Sequence, residues 1–346
     1  MIWRRGSDDC EAQFPTMSWV NSRMTKKLHE EHEEVVHYTS ASGLHGIVTS
    51  NTLWASHTSF INDNEEVVGF FSRVLPMILR PVFEGYVAES KDLKKRVQDA
   101  YQLGVDLFDH WLKKIVDAFK ETEVRESDHY VASFCTTKDA WISQHGLLSQ
   151  WRGYGLDGSY AIVFDRERLG ALLVREGKMY HEEQLFFGDV QYRLAENINV
   201  EDKQVQKHIK QIMEGARAYW MTGDIGKVYP AFDCITLLSA FCKHRGFEEE
   251  QEFRIVITEP SVEKGQDTEN TDAKPYRKAH NHLRNGVTVP CIHLFEDQKL
   301  NTLPIQRVIV GPHPEKQQRK KAVDILLHNH GIDAKVSVSD TPFRGE

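Results

Sequence analysis

Several features are scarce or missing in this 346-residue chain, and each absence excludes something. No run approaches the roughly 18 consecutive apolar residues that a membrane-spanning helix needs, so no membrane span is expected. Residues 1–7 carry charge, but Asp8, Asp9 and Glu11 follow in place of an apolar signal-peptide core. Secretion is therefore not expected, and a cytoplasmic setting is. Cysteine is sparse: five residues, at positions 10, 135, 234, 242 and 291. The number is odd and no Cys-x-x-Cys pair occurs, which fits reduced thiols better than a disulfide frame. Cys234, Cys242 and His244 are near neighbours in sequence, as are Cys291 and His293, yet without paired spacing structural zinc is not expected, and no metal ligand is assigned. Positive charge is also short. Lys and Arg number 43 against 51 Asp and Glu, a formal net charge of −8, which argues against binding nucleic acid through the whole surface. Lys316, Arg319, Lys320 and Lys321 form one basic cluster and read as the solvated face of a helix. There is no Gly-x-Ser-x-Gly elbow, no internal repeat and no low-complexity segment.

What is present suits a soluble globular protein: 40% hydrophobic and 27% charged residues, enough for one large domain or two ordinary ones. Residues 1–33 lack a clear period and read as an N-terminal arm or tail. Residues 34–346 read as a single α+β domain with a central mixed or antiparallel sheet. Short extended runs are expected at 35–39, 53–55, 130–135, 160–164, 184–192, 253–257, 287–295, 305–310 and 334–338. A helix is expected after Ser40 or Ser42, either of which can cap it. Between 65 and 126 the pattern is helical and reads as an insertion: Val67, Phe70, Phe71, Val74 and Leu75 make one apolar stripe, interrupted or ended by Pro76 and Pro81. A second stripe runs over roughly 88–120. Further helices are expected at 143–151, 166–174, 201–220, 225–244 and 314–328, and a long polar loop at 260–286.

Chemistry is suggested chiefly by residues 248–257, Glu-Glu-Glu-Gln-Glu-Phe-Arg-Ile-Val-Ile. If Glu250 and Glu252 stand at the mouth of a buried strand, they project to one side and Gln251 to the other. Two such carboxylates repel unless a cation, solvent or ligand answers them. Residues 153–158, Gly-Tyr-Gly-Leu-Asp-Gly, match a dinucleotide fingerprint literally. They follow a helix and precede a strand, the reverse of what pyrophosphate binding needs, so they read as a tight turn presenting Tyr154. His37 and Thr39 lie on the first strand. An alternative set of carboxylates, Asp63, Glu65, Glu250 and Glu252, suits a metal-dependent nuclease.

Several segments together resemble the bacterial family called domain of unknown function 2971. They are 37–65 (His-Tyr-Thr-Ser onward to Phe-Ile-Asn-Asp-Asn-Glu), 133–135 (Ser-Phe-Cys), 151–154 (Trp-Arg-Gly-Tyr) with 161–164 (Ala-Ile-Val-Phe), 247–254, and 307–312 (Arg-Val-Ile-Val-Gly-Pro). The resemblance spans roughly 35–344. That family's architecture in turn resembles ADP-ribosyltransferases, with a histidine or arginine on the first strand, an aromatic or serine in the middle and a glutamate late. The resemblance implies NAD as substrate and an unknown acceptor, whether protein, RNA or DNA. It also implies a toxin or anti-phage effector, with a regulatory protein partner. Carried onto this chain, it implies that Glu252 faces the ribose as nicotinamide leaves, an oxocarbenium-like step that a carboxylate stabilises. Glu250 would orient the acceptor, His37 and Thr39 would bind the adenosine ribose, Tyr154 would stack on nicotinamide, and Arg152 or Arg254 would pair with the diphosphate. A sensor or partner-binding module without turnover is the remaining alternative.

Overall fold

The computed structural model describes residues 28, 32–60, 68–153, 159–180, 185–260, 276–284 and 286–342; the side chains of 123–127 and 260 are outside that description. Tyr154, Asp63, Glu65 and most of the expected arm lie outside the described residues.

Among the described residues ten strands form one sheet: β1 (Val35–Ser40), β2 (Leu53–His57), β3 (Ser127–Thr136), β4 (Ser159–Phe164), β5 (Leu185–Asp189), β6 (Glu252–Pro260), β7 (Ala279–Arg284), β8 (Val287–Leu294), β9 (Ile305–Val310) and β10 (Lys335–Val338). Every pairing between these strands is antiparallel except β9 with β10. The α+β class with a mostly antiparallel central sheet is what the alternating runs implied.

Strand β3 organises the sheet. One of its edges is taken along nearly its whole length by β6, from Ser127 opposite Pro260 to Cys135 opposite Glu252. The other edge is shared: β1 pairs only with Thr136 and Cys135, and β2 only with Val131 and Tyr130. From this fork one arm continues β1–β4–β9–β10 and the other β2–β8–β7, while β5 extends the β6 side.

Alternation along the strands sends their side chains to two faces. On one, Val35, Phe134, Ile162, Phe253, Ile255 and Val308 pack with residues of helices α1 (Ala41–Ser50), α7 (Arg166–Met179) and α10 (Lys316–Asn329). On the other, Val36, Tyr38, Cys135, Ala161, Val163 and Ile309 meet Leu147 and Trp151, which belong to the segment of the short helices α5 (Ala140–His145) and α6 (Leu148–Gly153). Ser40 caps α1, accepting from the Gly43 N–H.

A separate apolar cluster forms chiefly among helices. Phe70, Leu75, Ile78, Phe83, Phe108 and Phe119 pack against Ile209, Ile212, Tyr219, Trp220, Phe232 and Ile235. The first set comes from a π-helical turn (Phe70–Val74), α2 (Leu75–Ala88) and α4 (Leu107–Glu126); the second comes from α8 (Lys203–Thr222) and α9 (Phe232–Ala240). Two prolines behave differently from expectation. Pro76 sits where the π-helical turn passes into α2, and Pro81 lies inside the helix; neither ends it. The stripe expected at 88–120 divides into α3 (Lys91–Gln102) and α4, with Gly104 between them at φ +79°.

Candidate functional site

The glutamate-rich stretch is placed by the backbone around it. Residues 241–243 run beside Gln191: the Gln191 N–H donates to the Phe241 carbonyl at 2.7 Å, and the Lys243 N–H donates to the Gln191 carbonyl at 3.2 Å. A 3-10 turn (Arg245–Glu250) follows, capped by the His244 ring. Gln251 then takes a left-handed conformation, φ 42°, and Glu252 opens β6. Its N–H donates to the Tyr192 hydroxyl at 2.7 Å, and its carbonyl accepts from the Val190 N–H at 2.9 Å. Glu250 and Glu252 are therefore not two alternating positions of one strand. They converge because the chain turns at Gln251.

Between them stands Lys243. Its ammonium lies 2.7 Å from Glu250 Oε2 and 3.2 Å from Glu252 Oε2. Arg254 holds the same carboxylate as a fork: Nε to Oε1 at 2.8 Å and Nη2 to Oε2 at 2.9 Å, with Nη1 on the Ala240 carbonyl at 2.7 Å. The Ser133 hydroxyl donates to Glu252 as well. The four side chains of the cluster are all buried, Glu252 and Arg254 being 4% exposed each. Burial pushes the Glu252 carboxyl upward, but the Arg254 charge and hydrogen bonds, with Lys243 and Ser133, outweigh it and hold the group at about 2. Beside it the Cys135 thiol is pushed well up, first by burial and then by Glu252 and Glu250, so it is a packing group and not a thiolate.

Glu252 accepts four hydrogen bonds, from Arg254 twice, Lys243 and Ser133, which fills the roughly four lone-pair sites of a carboxylate. It also lines a cleft of about 330 Å³ at the open end of the sheet, with Gln251, Tyr192, Thr136, Lys138 and His32. A second cleft of about 360 Å³ shares Tyr192 and is lined by Lys243, Arg73, His244, Arg245 and Phe247. The ion cluster thus borders both. A larger apolar cavity, about 410 Å³, lies between β5 and helices α8 and α9, lined by Phe186, Leu237 and Phe241 among others; it contains none of the expected site residues.

His37 and Thr39 are not brought to Glu252. They share the face of Val35, where the His37 ring lies 5.6 Å from Phe134, whereas Glu252 and Arg254 stand opposite Cys135 and Ser133 and point to the other face. His37 Nδ1 donates to the Ser133 carbonyl at 2.9 Å, where the diverging β1 and β2 leave the β3 edge unpaired. Burial lowers its pKa, with that carbonyl acting in the opposite sense, so the ring is neutral near pH 7. Thr39 is buried beside Gly43 of α1: a Cβ on that glycine would come within 2.0 Å of the Thr39 hydroxyl oxygen. Arg152 is exposed at the end of α6. Arg254, expected as a diphosphate partner, is spent on Glu252. Of the alternative metal set, Glu250 and Glu252 are described, and an ammonium occupies the space between them. Lys243 and Tyr192, which complete the cluster, carried no signal in the sequence beyond their residue types. Ser133 belonged to a segment with a recognised pattern but no assigned role.

A family model described as "Protein of unknown function (DUF2971)" matches residues 150–255, a span that holds Tyr192, Lys243, Glu250, Glu252 and Arg254. No curated protein matches the chain, and no solved structure does.

Proposed function

We propose that the cleft at the mouth of β6 is a reaction site for NAD, with ADP-ribosyl transfer to a macromolecule, or hydrolysis where water is the acceptor, as the chemistry. The observation that carries this reading is Glu252: a buried carboxylate held ionised, at about 2, in a residue that lines a polar cleft. Charge developing at a ribose carbon is stabilised by a fixed negative group of that kind without any proton having to move. In this reading Tyr192 is the aromatic group beside the carboxylate, His37 and Thr39 make no ligand contact, and the fold is of the ADP-ribosyltransferase type.

Because its acceptor sites are filled, Glu252 must exchange one partner for a ribose hydroxyl. Lys243 is the partner placed to leave. Its contact, at 3.2 Å, is longer than either one from Arg254, and it has Glu250 at 2.7 Å to keep its charge answered. The exchange costs less than exposing an unpaired buried cation.

Incubation with NAD labelled in the ADP-ribose moiety tests the reading. Nicotinamide release with label on protein or nucleic acid is the expected result for transfer, and free ADP-ribose alone for hydrolysis. Glu252→Gln is expected to cut turnover at least ~100-fold, as loss of a transition-state charge partner does; full turnover in that variant removes Glu252 from the chemistry. One observation favours a second reading. A carboxylate with four internal partners is also a finished structural lock, and this suits a partner-binding module without turnover. Calorimetry showing no NAD binding by the wild-type chain selects that alternative.

A further inference from the structure

At the far arm of the sheet, strands β7 and β8 form a hairpin whose outward face is rich in imidazole. His280 pairs with Cys291 across the hairpin and His282 with Val289, so His280 and His282, two residues apart, share a face. On the neighbouring pair, Trp54 of β2 lies opposite His293 of β8. The rings stack in sequence: His280 on His293 at 4.0 Å and 7°, and His293 on Trp54 at 5.3 Å and 3°. Past the end of β8 the chain takes two left-handed positions, Phe295 at φ 72° and Lys299 at φ 48°. These bracket a short turn that returns Glu296 over the hairpin, with Oε2 2.8 Å from His280 Nε2. One donor atom from each of His280, His293 and Glu296 lies within 4.8 Å of the others.

We propose that His280, His293 and Glu296 form a binding site for one borderline divalent transition ion of the zinc class. Two imidazole nitrogens and one carboxylate oxygen are donors such ions take at about 2.0–2.2 Å, with a water in the fourth position. Magnesium and calcium, which demand oxygen donors, are poorly served by them. Donors around one such tetrahedral ion stand ~3.4 Å apart at those bond lengths, so closure requires a contraction of at most about 1.5 Å. It also requires one ring to turn, because parallel imidazoles cannot both aim an in-plane lone pair at the same point. His293 is held against Trp54, whereas His280 is on the hairpin's outer strand, stacked on His293 and hydrogen-bonded to Glu296. His280 is therefore the ring that turns. Glu296, 43% exposed at its side chain, leaves the remaining position open to water. Bound there, the ion ties the outermost strand to the turn after β8. The inference does not depend on the reading of Glu252.

The test is zinc titration of the full chain against a chromophoric competing chelator, with tryptophan emission followed in parallel. One equivalent is expected to bind, with affinity falling at least tenfold in both His280→Ala and His293→Ala. An emission change on zinc addition is expected to be lost in Trp54→Phe. Far-UV circular dichroism of each variant shows that the fold is retained. No uptake by the wild-type chain overturns the proposal. So does uptake unchanged in both histidine variants, which would place the ion among the chain's other histidines, or a preference for magnesium over zinc.

Discussion

Two buried carboxylates of β6 have their pKa values moved in opposite directions. At Glu252 the folded group sits at about 2, below its ordinary 4.5. The stability it contributes is present above about pH 4.5 and is lost as pH falls toward 2. Glu259, at the other end of the strand, faces Arg277 together with Glu176: Arg277 Nη1 lies 3.0 Å from Glu259 and its Nε 3.2 Å from Glu176. One guanidinium divided between two buried carboxylates does not offset their desolvation. Burial pushes Glu259 from 4.5 up to about 7 despite Arg277, and Glu176 is raised for the same reason. A raised group contributes stability that is full below about 4.5 and lost as pH rises through 7. At about 1.4 kcal/mol per pKa unit, the Glu259 effect is on the order of 3 kcal/mol. Tm measured from pH 4 to pH 8.5 is expected to fall across the interval 4.5–7 in the wild-type chain and to fall less in Glu259→Gln, which keeps a hydrogen-bonding side chain and cannot ionise. Curves of equal slope in the two proteins would reject the assignment.

The elements show which parts of this fold a sequence can disclose. Strands β1, β4, β6 and β9 were legible because runs such as Tyr160–Phe164 and Phe253–Ile257 are β-branched or aromatic and buried on both faces. Strand β7 falls within the stretch whose sequence reads as a loop. Its sequence, Ala-His-Asn-His-Leu-Arg, is polar, and even Leu283 is 70% exposed, because an outermost strand gains its backbone hydrogen bonds without burying a face. The site was half legible. The acidic pair at the start of β6 was visible in sequence, but its partners Lys243 and Tyr192 arrive through the Gln191–Cys242 bridge, a contact between distant segments that no local pattern encodes. The sidedness of His37 was hidden for a similar reason: which face of β1 meets Glu252 depends on its register with β3. Helix starts, by contrast, are local. Asp202 accepts from the N–H groups of Gln204 at 2.7 Å and Val205 at 3.3 Å, capping α8. Asp202→Ala is expected to cost about 1 kcal/mol, and Asp202→Asn much less, read from urea unfolding midpoints at constant m-value; equal losses in the two variants would show that charge, not the cap hydrogen bond, is what matters there.

For the molecule as a whole, the telling feature is how the helical cluster is assembled. Residues 65–126 look detachable in sequence, a helical block between two strands. Yet Phe83 stacks edge-on against Trp220 at 5.4 Å, Phe119 against Phe232 at 5.3 Å, and the Tyr86 hydroxyl donates to the Trp220 carbonyl at 2.9 Å. The apolar faces of α8 and α9 have these partners and face the sheet only in part. Fully burying each large apolar side chain contributes about 1.5–3 kcal/mol, so exposing Ile209, Ile212, Trp220 and Phe232 forfeits about 6–12 kcal/mol, comparable to the roughly 5–15 kcal/mol that holds a typical domain folded. Helix α9 leads directly into Phe241, Cys242 and Lys243, and through them to the ion cluster at Glu252. Replacing residues 68–126 by a short Gly/Ser linker is therefore expected to abolish cooperative unfolding of the whole chain and to expose apolar surface, seen as loss of near-UV circular dichroism and as dye binding. A soluble, cooperatively folding product would show instead that the sheet and its carboxylate site stand independently of the helices, and that the helical block is an appendage after all.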